Sequence, residues 1–269
     1  MMQLQLMSGS NLDSQIFAMF AAGEKGAWYD PNDLSTLFQD SAGTTPVVAV
    51  GDPVGMMKDK SGNNRHMIQA TSTARPILRQ NTTTGKMYLS VNWDEVGDVA
   101  NGLDDSMSCS SFSMTDTDQV TIAAGLRRHS DAAAGLFCEL SAAIGSNLGA
   151  FNILAPSAAA ANISFTSKGS ASSSATRTTD AAKFAAHVIA FSDISADSSE
   201  IRVNDLAAVQ AAADQGTGNF GNYTMYLFRR GGTTVPFYGR FNGLFVINRL
   251  CTSEELAILK AYYKERTGT

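Results

Sequence analysis

From Met87 to Asn248 the chain keeps returning to an alternation of apolar and polar residues with a period of two, in short runs broken by turn formers. The runs are Met87–Trp93, Gln119–Ala123, Leu136–Ile144, Asn162–Phe165, Phe184–Phe191, Tyr223–Arg229 and Tyr238–Asn248. Successive side chains of a strand point to opposite faces, so each run can bury one side and wet the other. No helical period lies between them, which excludes alternating βαβ units and predicts an antiparallel β-sandwich over about residues 85–249. The clearest hairpin is Ser199–Val209, where Asn204 and Asp205 are predicted to make a two-residue turn because both tolerate a positive φ. The serine- and threonine-rich stretch Ser167–Thr179 has little to bury and is predicted to be a mobile surface loop.

Two segments depart from that period. At the C-terminal end, Thr252 followed by Glu255 makes a capping box. Leu256, Leu259 and Tyr263, flanked by Ile258 and Tyr262, share one face of a helix over 253–266, and Gly268 stands at its stop. That face needs a partner, and the sandwich edge is the expected one. At the other end, residues 1–25 read as a small docking or oligomerisation segment, with Ile16, Phe17, Met19 and Phe20 on a short helix or strand. It lacks the basic opening of a secretory signal. Between 26 and 40, Trp28 and Tyr29 suit a strand. Asp30 and Pro31 then suit the start of a helix carrying Leu34, Leu37 and Phe38, and a short β run is expected at Val47–Val50. The domain expectation is therefore 1–25 plus one unit, 26–269.

Composition narrows the function. Charged residues are 17% of the chain, the net charge is −5, and basic residues are scattered, so the footprint of a nucleic-acid binder is absent. No stretch is long and apolar enough for a membrane helix. Cys109, Cys138 and Cys251 are odd in number and widely spaced, which suits buried thiols and synthesis in the cytoplasm.

A search for chemistry finds no catalytic set. Glycosidic hydrolysis needs two carboxylates facing one cleft. In Asp94-Glu95-Val96-Gly97-Asp98, neighbours face opposite sides of a strand and a glycine breaks the spacing. No metal or cofactor is expected; Asp98, Asp104 and Asp105 of the same acidic loop are the candidates for a Ca²⁺ cage of carboxylate and carbonyl oxygens, without matching the helix-loop-helix calcium motif. His66, His129 and His187 share no ligand spacing, and His187, in KFAAHVIAF, reads as a core or edge residue. Among Trp28, Trp93, Tyr223, Tyr226 and Tyr238, alternation makes most core. Trp28 and Tyr238, with Arg229 and Arg230 before a glycine turn, are the candidates for a ligand or protein interface.

The run GAWYDPNDLSTLFQDSAGTTPV, then GDPVGMMKDKSGNNRHMIQATSTARPIL, resembles a module of tailed-bacteriophage and prophage structural proteins. The remainder resembles the concanavalin A-like (laminin-G-like) lectin and glucanase sandwich. The matching stretches are Ile201-Arg202-Val203-Asn204, Phe241-Asn242-Gly243-Leu244-Phe245-Val246-Ile247, and the helix opening at Leu250–Leu256. Arg65-His66-Met67 departs from the usual N-H-A, Asn204-Asp205 from N-G, and the glucanase pattern E-x-D-x-x-E is missing. The resemblance implies an all-β jelly roll and a place in a virion. The expected role is a non-enzymatic tail-fibre, receptor-binding or surface-decoration component with a lectin-like adhesion module. Its expected partners are other virion proteins, further copies of itself and a host-surface glycan. Two alternatives stand beside it. One is an assembly-only capsid or baseplate subunit that binds no sugar. The other is a glycan depolymerase relying on Glu95, Asp98 or Asp104.

Overall fold

The computed structural model describes residues 12–102 and 104–269. Two antiparallel sheets stack face to face. In the first, Val209–Ala211, Ser198–Val203, Phe184–Asp193, Gln119–Arg128 and Gly239–Ile247 lie side by side. The far flank of Gly239–Ile247 is shared: Met87–Val91 and then Ile77–Gln80 continue from its start, while Gly26–Tyr29 pairs with its end. The second sheet runs Ser172–Thr178, Asn162–Lys168, Ala150–Leu154, Leu136–Leu140, Asn222–Leu227 and Met107–Ser113, then the short Met67–Ile68, Met56–Met57 and Leu37–Phe38. The main core fills the space between them, with Phe137, Phe151 and Phe165 from one sheet meeting Leu126, Val188 and Phe241 from the other.

A second, smaller core covers the outer face of the first sheet. Helix α1 (Leu12–Ala18) and helix α2 (Ser253–Thr267) lie there, and Ile16, Met19, Phe20, Leu259, Tyr262 and Tyr263 pack on Trp28, Ala123, Ile189, Phe245 and Ile247. The central strands are thus buried on both sides, which is why Gly239–Ile247 reads as a nearly continuous apolar run rather than an alternating one. α2 therefore rests on a sheet face and not on the sandwich edge. Gly125 and Gly243 make the seat for its aromatic face. A Cβ at Gly125 would stand 3.2 Å from the Tyr263 ring, and one at Gly243 3.1 Å from it. The helix ends follow the sequence reading: Thr252 and Glu255 cap each other's backbone N–H, and Gly268 closes with φ of 73°. No helix among the described residues is long and apolar enough to cross a membrane.

Four local expectations are corrected. Asp30 caps no α-helix. Only a 3-10 turn (Leu34–Thr36) follows, and Leu37–Phe38 is a strand, because its backbone finds partners in Val47 and Gly55. Val47–Val50 makes no strand; Pro46 forms a single bridge to Phe38. The Ser167–Thr179 stretch is no loop, since Ser172–Thr178 is the edge strand of the second sheet. Its hydroxyls pair across to Asn162–Lys168 (Thr166 with Ser174 at 2.8 Å, Ser164 with Thr176 at 2.9 Å) and Ser173 and Ala175 turn inward. Small side chains bury little, but a neighbouring strand satisfies their backbone. Finally, Asn204 alone takes a positive φ (52°), and the return strand first pairs at Val209 opposite Ile201, so the connection is longer than a two-residue turn.

The two sequence blocks that carried the resemblance fold into one knot beside α2. Asp59 accepts from the backbone N–H groups of Trp28, Ser61 and Arg65, and the Tyr29 hydroxyl donates to the Arg65 carbonyl. Lys60 lies 4.2 Å over the Trp28 ring and pairs with Asp13 and Asp33 at 2.8 and 3.0 Å. Buried Asp30 accepts from the Tyr262 hydroxyl at 2.5 Å and from Arg266 at 3.2 Å. Arg266 also reaches Asp13, so charge ties both helices to the sheet. The residues of these blocks are conformational parts, each completed by another part of the chain.

Candidate functional site

Beyond the knot of Asp13, Asp30, Lys60 and Arg266, two places among the described residues are candidates for a site. The first is the end of the sandwich where a two-stranded hairpin, Trp93–Asp94 with Val99–Ala100, carries the acidic loop. Glu95 receives the Arg240 guanidinium through both oxygens, at 2.9 and 2.6 Å. Asp98 pairs with Lys183, whose ammonium holds its carboxyl below the usual range. Asp104 takes Arg229 at 2.8 Å. Asp105 is buried and accepts from the Asn92 N–H at 2.6 Å, and that burial pushes its carboxyl up to about 6. Buried His129 sits among them, its ring 5.0 Å from Trp93, with Nε2 3.7 Å from Glu95 and Nδ1 3.9 Å from Asp98. Burial pushes its pKa down to about 4.

This end uses its charges internally. Asp98, Asp104 and Asp105 do not converge on a point, and among the described residues no group of three His, Cys, Asp or Glu side chains is set to hold a metal ion. Of the carboxylates weighed for depolymerase chemistry, Glu95, Asp98 and Asp104 are each bound to a cation. A general acid needs the opposite, a carboxyl kept protonated by its surroundings.

The interface candidates scatter. Trp28 is 1% exposed, beneath Lys60 and edge-on to Tyr262, so it offers no surface to a ligand. Arg230 donates at 2.9 Å to Glu139, a fully buried carboxylate that also accepts from the Ile144 N–H. Arg229 is occupied by Asp104 and the Thr233 carbonyl. Tyr238 is half-buried and edge-on to Trp93, at the same hairpin end as the Asp104–Arg229 pair.

The second place is a groove of about 460 Å³ on the outer face of the first sheet, beside α2. Ligand pockets of this size are common. Its walls mix apolar groups (Ile189, Leu206, Leu256) with His187, Arg202, Asn204, Asp205 and Lys260. The sheet supplies His187 and Arg202, the connection after Val203 supplies Asn204 to Leu206, and the helix supplies Leu256 and Lys260. Asp205 is clamped between Lys260 and Lys264 at 2.7 and 2.8 Å, which holds its carboxyl well below the usual range. Arg202 is paired with Glu200 at 2.5 Å and lies over the Phe191 ring.

His187 stands out in this wall. It is 2% exposed, and burial pushes its pKa down to about 4. Its Nδ1 meets the Thr269 hydroxyl at 2.8 Å, whereas its Nε2 has no hydrogen-bond partner in the chain. The sequence placed His187 in the core or at an edge and assigned none of these groove residues to a site. Nothing local marks them, because the groove exists only once a distant helix lies across two neighbouring strands.

No protein-family model matches the chain, and no curated protein matches it. Several solved structures are similar to it. The CBM40 of the Ruminococcus gnavus IT-sialidase is 16% identical, over 55% of this chain and 84% of that one, with a TM-score of 0.43. The K499G mutant of NanB sialidase from Streptococcus pneumoniae is 12% identical, over 63% of this chain and 27% of that one, with a TM-score of 0.46. Domains LG4-5 of the mouse laminin alpha1 chain are 15% identical, over 53% and 40%, with a TM-score of 0.41.

Proposed function

We propose that this chain is a non-catalytic recognition module that holds a carbohydrate in the groove beside α2. The observation that carries the reading is the wall of that groove: apolar side chains (Ile189, Leu206, Leu256) stand beside hydrogen-bonding ones (Arg202, Asn204, Asp205, Lys260). A sugar has the matching surface, apolar C–H faces edged by hydroxyls. The acidic end of the molecule supports the non-catalytic half of the reading, since Glu95, Asp98 and Asp104 are each tied to a cation. The setting we propose is a tailed-phage virion, on the strength of the sequence blocks at Gly26–Val47 and Gly51–Leu78. A glycan array probed with the full chain tests recognition, and the expected result is binding that Leu206→Arg, a bulky charge in the groove wall, abolishes. Array binding untouched by that change sinks the groove assignment. Mass spectrometry of purified particles tests the setting, and absence of the chain from virions rejects it.

An assembly-only subunit is the second reading. Val48 and Val50 favour it, standing 74% and 49% exposed on one loop as apolar surface suited to a protein contact. An array without hits, together with self-association lost in Val48→Lys, decides for assembly.

A further inference from the structure

Arg202 commits one of its nitrogens to the protein and leaves two. Its Nε donates to Glu200 at 2.5 Å, and the guanidinium lies 5.3 Å from the centre of the Phe191 ring. Glu200 is buried and held in turn by Gln210 at 2.8 Å, so the arginine is anchored on a fixed carboxylate. Among the described residues neither terminal nitrogen of Arg202 has a hydrogen-bond partner, and the side chain, 42% exposed, lines the groove beside Ile189. Those two nitrogens form a planar fork whose N–H groups match the paired oxygens of an anion. On the helix side, Lys260 and Lys264 share the single carboxylate of Asp205 at 2.7 and 2.8 Å, and each ammonium has three N–H groups to give. His187 adds no charge at pH 7, since burial pushes its pKa down to about 4. The strand thus brings Arg202 with Glu200, the connection Asp205 and the helix two lysines, three cations against two anions. Asp180 lines the adjoining hollow with Phe184 and Thr269, outside this wall.

From this arrangement we infer that the groove takes an acidic sugar, its carboxylate or sulfate group held by the free fork of Arg202 and the spare N–H groups of Lys260. The inference rests on the recognition reading above and names the substrate class for it. The apolar face of the sugar lies against Ile189, Leu206 and Leu256, which line the same groove. Glu200 is a positioning residue: it holds Arg202 through Nε and leaves the fork untouched. Asp205 works against the ligand, because it occupies the ammonium groups and repels an incoming anion. Its ion pairs stand in water, where they are worth little, so Lys260 turns to the ligand at small cost.

Binding of the full chain to three sets of oligosaccharides tests it: neutral ones, ones ending in a hexuronic acid, and ones bearing a sulfate ester. At least one acidic set should bind tenfold or more tightly than the neutral set and weaken as salt is raised, and the set that does so identifies the anion. Arg202→Gln should lower that affinity at least tenfold. Arg202→Lys, which keeps a cation against Glu200 but loses the fork, should lower it several-fold. Asp205→Asn should raise it several-fold, a gain that a merely structural role does not produce. Melting temperature is checked in each variant. Should Arg202→Gln fail to fold, Asp205→Asn and Lys260→Gln decide, since those side chains stand 61% and 45% exposed: a rise in the first and a fall in the second support the inference. Neutral probes binding as tightly as acidic ones, or acidic binding that does not move in these directions, overturns the inference and leaves the recognition reading standing. No binding by any set overturns both.

Discussion

The molecule holds two buried histidines whose basicity burial lowers to the same level, and their surroundings give them different work. His129 lies between carboxylates at 3.7 and 3.9 Å, against Trp93, in an end cluster where Arg240 and Lys183 complete the charge balance. His187 faces no carboxylate so closely; the Thr269 hydroxyl meets its Nδ1, its Nε2 is buried without a partner, and the residue lines a groove. A buried polar group that the chain surrounds with its own charges is part of the architecture. One held by a hydroxyl on one side, with no carboxylate against it, stands instead in the wall of a groove. Burial and pKa alone do not separate the two cases; the identity of the partners does.

Acid titration should produce the largest effect on that pair. Both histidines sit near 4 when folded, against an ordinary value of 6.5. Between those values the unfolded chain binds the extra protons, so their contribution is complete above pH 6.5 and drains away as pH falls to 4. Linkage puts it at about 3 kcal/mol for each ring. Asp105 works the other way in the same window: raised from 3.8 to about 6, its contribution is complete below 3.8 and is lost as pH rises through 6. Urea denaturation across pH 4–7 should therefore show His129→Phe removing one histidine's share of the slope, and Asp105→Asn steepening it. An unchanged slope in both would mean that neither group is buried as described.

Glu95→Ala should come next, since it strands the half-buried Arg240 and opens one side of the His129 cluster. A cost of about 2 kcal/mol is expected in chemical denaturation. The groove gives the smaller numbers. His187→Phe at pH 7 should stay within about 1 kcal/mol of the parent, because an apolar ring replaces a group whose second nitrogen has no partner. Asp205→Ala, breaking ion pairs that stand in water, should leave the melting temperature unchanged. If either groove change instead unfolds the protein, the groove is architecture like the hairpin end, and the contrast between the two histidines fails.

The period of two was enough to place the principal strands, and it failed where strands are unusually small or unusually apolar. Ser172–Thr178 hides in a serine-rich stretch because its packing comes from backbone pairing rather than side-chain bulk. Met107–Ser113 and Ala150–Leu154 went unassigned for want of a clean alternation. The candidate contacts fared worse. Trp28 and Arg230 were chosen as residues able to meet a ligand, and each proved to be answered inside the fold, by Lys60 with Tyr262 and by Glu139.

Those outcomes divide along one physical line. Local interactions were written in the sequence: the alternation that makes a strand half-wet, the Thr252–Glu255 box that starts α2, and the glycine that ends it. Which charge answers which, and where a surface is left unanswered, depends on residues far apart in the chain. Tertiary structure alone laid α2 on a sheet face, set Gly125 and Gly243 beneath Tyr263, and brought Thr269 to His187 across 82 positions. The groove follows from that crossing, because a helix cylinder laid on a twisted sheet touches it along part of its length and leaves a trough beside it.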